Sequence, residues 1–298
     1  MELVGKVKHG RADAKVSTCA CDVEHVRMVS FEAINLPFFL AQTQRLMIMK
    51  SLPTKLGKEP LIDVVCAVTF DSDGSASTML PGLLLSKYPD TRPSFEPLPA
   101  AQIPPMIRDQ DPNLRNAPLL RVVIDERFPV LIGDRTLAVS CKMPYAGWSV
   151  FKEAILSYFS VLETASFIKK IEGHSLKYVD LFVNQDTPSS LSRFNLKLEV
   201  AGRVLDQEMT TMRTEIKESP FLHATTIVSP ATVQQSDGTK VTGSVVNVDT
   251  HRQQEFAVVK DFIQQLPELL EEIHTANKTF FFDLLSESGL KELEPRYE

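Results

Sequence analysis

The stretch Ile62-Asp-Val-Val-Cys-Ala-Val-Thr-Phe70 does more than any other to limit what this chain can become. Ile62, Val64, Cys66, Val68 and Phe70 fall on one side of an extended backbone, the period of a strand with one buried face. Such a strand needs neighbours in a sheet and a second layer laid over its apolar side. The run stops at Asp71-Ser-Asp73-Gly74, a turn signal. Two stripes at helical spacing can supply the layer. Trp148, Phe151, Ile155, Tyr158, Phe159 and Leu162 form one. Val259, Phe262, Ile263, Leu266, Leu270 and Ile273 form the other, in a helix starting near Glu255 that Pro267 should kink or split. The fold class read from this is α+β, two halves of antiparallel sheet each packed by a long amphipathic helix.

Between these landmarks the pattern is uneven. A short helix is expected over Pro81–Lys87, ended by Tyr88-Pro89. Residues 89–118 then hold eight prolines, which forbids a long helix or central strand there. Leu120–Ile124 reads as a strand. Val130–Ile132 and Thr136–Lys142 flank Gly133-Asp134, which predicts a tight hairpin with the glycine at positive φ. Gly173-His174 is expected to end the helical region, with a strand from Leu176 to Val183. Phe194, Leu196, Leu198 and Val200 alternate with polar residues as another strand. Two more, near 222–228 and 241–250, flank Ser236-Asp237-Gly238. The first half therefore runs strand–helix–strand–strand–helix–strand, the order of a ferredoxin-like unit. The second half resembles it with its first helix lost. The organisation expected is 1–48 as an N-terminal extension, 49–185 as the first half and 186–298 as the second. Residues 1–48 show little periodicity, and order begins after Met49, so translation from Met47 or Met49 and a genuine packing arm both account for them.

Composition narrows the function. The net charge is −6 with both signs interspersed, which argues against a phosphate-backbone binder, so no nucleic-acid partner is expected. No apolar run approaches the roughly 18 residues needed to cross a bilayer, and Ile34–Ala41 is broken by Pro37 and lies too deep for a signal peptide. A cytoplasmic protein without a membrane partner is the expectation. Cys66 and Cys141 lie in apolar runs, as small hydrophobes. Cys19 and Cys21, with Glu24 and His25 behind them, fit no standard zinc spacing, so plain thiols and no metal are expected. No HExxH, nucleophile elbow or glycine-rich phosphate loop occurs, and no cofactor or catalytic residue is assigned.

The candidate binding residues are Tyr145, Trp148, Tyr178 and Asp180. Tyr145-Ala-Gly-Trp148 lies where a strand turns into a helix: Gly147 suits the turn, and Ser149 can cap the first helical turn. Trp148 falls on the inward stripe, which makes it a core anchor with its N–H on a loop carbonyl ahead of an aromatic platform for a ligand. Asp180 shares an apolar strand face with Tyr178 and Phe182, so it should be paired, as should Asp63 and Asp249. If a site exists, it lies where Tyr145, Tyr178 and Asp180 meet.

Three of these stretches also carry a resemblance. Glu59-Pro60-Leu61-Ile62-Asp63-Val64-Val65, Tyr145-Ala-Gly-Trp148-Ser-Val-Phe151 and Leu176-Lys-Tyr178-Val-Asp180 resemble, in that order, a sporadically distributed, uncharacterised bacterial family of chains of roughly 260 residues. Its marks are Pro-Pro-Ile-x-Glu-Ala-Val, Tyr-x-Gly-Trp-x-x-Phe and Arg-Tyr-x-Asn. The similarity runs from about Met49 to the end and includes Leu270-x-x-x-His274 ahead of Phe280 and Phe281. This chain departs from it with Asp63 for Glu, Lys177 for Arg and Asp180 for Asn. The resemblance implies a fold and no particular activity. Two functions stay open. One is a non-enzymatic protein-interaction or scaffold role with a protein partner or as a homo-oligomer, possible partners including a protein neutralised in a defence or toxin–antitoxin locus. It draws on the family's patchy occurrence and on Phe280-Phe-Phe282, of which at least one ring should meet another chain or a second layer. The other is a small-molecule or nucleotide-processing enzyme with a cleft between the halves.

Overall fold

The computed structural model describes residues 52–183, 191–234 and 238–297, which belong to one compact unit, Ser51–Glu298. The expectations for residues 1–48, with Cys19, Cys21, Glu24 and His25, and for Ser236-Asp237 lie outside the described residues. In chain order the elements are β1 (Lys55–Leu56), β2 (Leu61–Ser72), α1 (Ala76–Lys87), β3 (Ser94–Pro97), α2 (Pro105–Gln110), α3 (Pro112–Arg115), β4 (Leu120–Val123), β5 (Val130–Ile132) and β6 (Thr136–Ser140). Then follow α4 (Trp148–Phe159), β7 (Ile168–Val183), β8 (Leu198–Val200), β9 (Arg203–Leu205), β10 (Thr210–Glu218), β11 (Phe221–Gln234), β12 (Lys240–Arg252), α5 (Val259–Leu284), α6 (Glu287–Glu292) and β13 (Pro295–Arg296).

The fold is α+β. Among the described residues one sheet of nine strands runs β10-β11-β12-β7-β2-β6-β5-β4-β3, every neighbouring pair antiparallel. The two halves expected from sequence therefore share a single sheet. They are joined because β7 pairs with β2 on one side and β12 on the other: Leu176 stands opposite Cys66 and Thr250. The alternation that defined β2 does what period two requires. Val64, Cys66, Val68 and Phe70 are fully buried, under α1, α4 and α5, in one cluster with Leu80, Leu84, Phe151, Ile155, Phe262 and Leu270. Burial of one such side chain stabilises by about 1.5–3 kcal/mol.

Several local expectations are corrected. α1 begins at Ala76, five residues early, and carries Pro81 inside. Its first turn is held by the Asp134 carboxylate, which accepts from the Ser75 and Ser77 hydroxyls at 2.7 Å each. Gly133 is not at positive φ. A Cβ there would lie 2.6 Å from the Ala117 carbonyl oxygen, so close approach explains it. α5 is continuous through Pro267, because that residue sits on the exposed side while Phe262, Leu266, Leu270 and Ile273 hold the other against the sheet. Gly173-His174 ends no helix; β7 runs straight through it. Of the strand expected from Phe194, only Leu198–Val200 forms, in a hairpin with β9. Phe280, Phe281 and Phe282 all find ring contacts within the chain, on His223, on Phe182 and on one another, which removes the reason to assign one of them to a partner.

Candidate functional site

Three parts of the chain line a half-open cavity of about 200 Å³: the segment Pro53–Leu61, the end of β7, and the second half of α5. β7 contributes Tyr178 and Asp180, two residues apart and hence on one face. The loop before α4 adds Tyr145, and α5 adds His274, Lys278 and Phe281, one helical turn apart or nearly so. Asn277, 1% exposed, fixes α5 to this end of the sheet: its amide donates to the carbonyls of Leu176 and Val248 at 3.0 and 3.1 Å.

Tyr145 stands here because of Gly147. That glycine has φ +88°, turns the chain from sheet to helix and serves as the cap of α4 without any side-chain hydrogen bond, so Ser149 does not cap it. The two tyrosine hydroxyls lie 3.2 Å apart with their rings edge-on. Burial pushes Tyr145 up to about 12, and Tyr178 is also raised well above its usual value. Both phenols are neutral hydrogen-bonding groups at any physiological pH.

Asp180 departs from expectation. It is 5% exposed and its carboxyl has no hydrogen bond or ion pair among the described residues. The near cation of its own strand, Lys177, points to the other face and sits 3.8 Å from Asp63. Asp249 has His251 at 3.2 Å. Asp63 is thus paired as expected, Asp249 keeps one buried oxygen, Oδ1, without a hydrogen-bond partner among the described residues, and Asp180 has no pairing there. Burial alone lifts it to about 7, because nothing offsets the loss of water around the ionised form.

Trp148 stands one layer behind the cavity wall. It is half-buried and stacks on His274, with ring centroids 4.0 Å apart and planes 7° apart. Its N–H donates at 3.0 Å to the Glu271 carboxylate, where a loop carbonyl was expected, and Lys152 holds the same carboxylate at 2.6 Å. His274 is held down to about 4 by burial, with the Lys278 and Lys152 ammoniums pushing the same way and Glu271 opposing. Its imidazole is therefore neutral. Trp148 is the only tryptophan, so it reports on that ring. Its emission should fall on acidification with a midpoint near 4, and the step should vanish in His274→Gln. A step at 6.5, the unperturbed value, would mean that the ring is solvated.

Tyr145, Tyr178 and Asp180 thus line one cavity, and Trp148 supports its wall. Sequence reasoning assigned neither Lys278, Asn277 nor the Pro53–Leu61 segment to a site, although Glu59-Pro60-Leu61 carried part of the family resemblance. The one available signal was a polar residue, Asn277, on the buried stripe of a helix. Among the described residues no group of three or more His, Cys, Asp or Glu side chains is placed to hold a metal ion, and no helix is long and apolar enough to cross a membrane. No family model and no curated protein matches the chain.

Proposed function

We propose that this chain is a binding protein that works through the cavity between β7, α5 and the Pro53–Leu61 segment. The observation that carries this is Asp180. A carboxyl buried without a partner costs several kcal/mol, and such groups gather where a ligand completes them. A melting-temperature screen at pH 8 tests it. Compounds that stabilise the wild type and have no effect on Asp180→Leu would support cavity binding. A crystal structure with the Asp180 carboxyl capped by a donor of the chain itself would remove its basis.

A protein-interaction or scaffold role draws support from the hairpin β8–β9. It pairs only with itself in the sheet pattern and exposes Val200 and Val204 at 60% and 73%, apolar surface that a partner or second copy would cover. A place in a defence or toxin–antitoxin locus rests on the family resemblance alone. The enzymatic alternative has its own support: a carboxyl near pH 7 beside a phenol pair is equipment for general acid–base work, in a cleft built from both halves. Recovery of the bound compound unchanged after long incubation separates binding from turnover. For the fold, the order β7-β2-β6-β5, with α1 after β2 and α4 after β6, supports a ferredoxin-like reading of the first half.

A further inference from the structure

Two ionisable side chains of opposite sign line the same cavity, and neither has a hydrogen-bond or ion-pair partner among the described residues. Asp180 has no hydrogen bond or ion pair among the described residues. Lys278, half-buried on α5, is pulled down by burial and makes no hydrogen bond or ion pair among the described residues. The two do not satisfy each other, since no ion pair joins them. The remaining charged groups on the cavity are Lys55 and Glu59, both exposed, and the neutral His274. The lining also holds the apolar Leu61, Phe281, Phe282 and the ring of Tyr145, beside the polar Thr54 and Asn277.

A ligand with one charge would complete one pole and leave the other desolvated and unpaired. A ligand with both completes the site. We propose that the cavity binds a small zwitterion, an amino carboxylate with an apolar middle, its ammonium against Asp180 and its carboxylate against Lys278. The hydroxyls of Tyr145 and Tyr178 add hydrogen bonds near the ammonium end, and the aromatic rings favour a cation beside them. The volume suits this class, since a cavity of about 150 Å³ holds a benzene ring and this one has about 200 Å³. The inference rests on the reading that the cavity binds a ligand.

Isothermal titration at pH 8 tests it on the full chain. The probes are glycine, 4-aminobutyrate, 6-aminohexanoate, L-leucine and L-phenylalanine, set against hexylamine and hexanoate, which carry one charge each. At least one amino carboxylate should bind, with both single-charge probes about tenfold or more weaker, the usual worth of one charge-assisted hydrogen bond. Asp180→Asn and Lys278→Gln, each checked for folding by circular dichroism, should each reduce that affinity to the single-charge level. Hexylamine binding as tightly as every zwitterion would overturn the inference and leave cavity binding standing. So would undiminished affinity in Lys278→Gln, or no binding by any of the five while other compounds stabilise the protein in the melting screen.

Discussion

Asp180→Asn should raise the stability of this protein at pH 8 by up to about 4 kcal/mol and change it little at pH 4. The folded chain lifts this carboxyl from 3.8 to about 7. Between those values the folded state keeps a proton that the unfolded state has released, so each rise in pH favours unfolding. Above about 7 the full penalty is present; below 3.8 it is absent. Asparagine fills nearly the same space without a charge to desolvate. Three histidines act in the opposite direction, His223 among them, its value lowered by burial. His174 and His274 are both held near 4, so they withdraw stability as pH falls from 6.5. The wild-type curve alone therefore mixes opposed trends, and the difference between variant and wild type isolates Asp180. Urea denaturation at the two pH values measures it. A variant no more stable than wild type at pH 8 would show that the carboxyl is hydrated or has a partner.

The second large effect falls at the start of α4. Phe151→Ala should cost about 3–5 kcal/mol, the range for removing a fully buried phenylalanine. Its side chain is 0% exposed, with the rings of Phe128, Tyr145 and Trp148 centred 6.2, 6.2 and 6.5 Å away. Trp148→Ala should cost less. The indole is half-buried, and its partners, His274 and Glu271, lie towards the surface. Denaturant midpoints of the two variants give the order directly. A larger loss from Trp148 would mean that the tryptophan, and not the phenylalanine beside it, seats the helix on the sheet.

That order marks what could be read from residues alone. The corner Tyr145–Phe151 was legible because glycine, aromatic spacing and the strand-to-helix switch agree there. Strand β2 was legible because one face is buried throughout. β7 was half hidden: its register against β2 shifts between Thr69 and Phe70 and again between Asp71 and Ser72, which breaks the simple alternation of its first part. The run Phe194–Val200 misled for another reason. Its alternation serves a second cluster under the end of α5, where Leu196 and Leu198 pack, and the Asn195 amide donates to the Asp283 and Leu285 carbonyls instead of a strand pairing there. The union of the halves into one sheet depends on which strand β12 chooses, a long-range pairing that no local pattern records. The same holds for the site. Tyr178 and Asp180 announce a polar interruption of an apolar face, but Lys278 looks like any other helix lysine until α5 is laid across β7.

The unpartnered state of Asp180 underlies both the proposed function and the ligand class. Carbon-13 NMR of the aspartate carboxyl carbons, with Asp180 assigned through Asp180→Asn, measures its titration in the ligand-free protein. A midpoint near 7 is expected. A midpoint near the ordinary 3.8 would contradict it, because the carboxyl would then be hydrated or already held by a donor or cation.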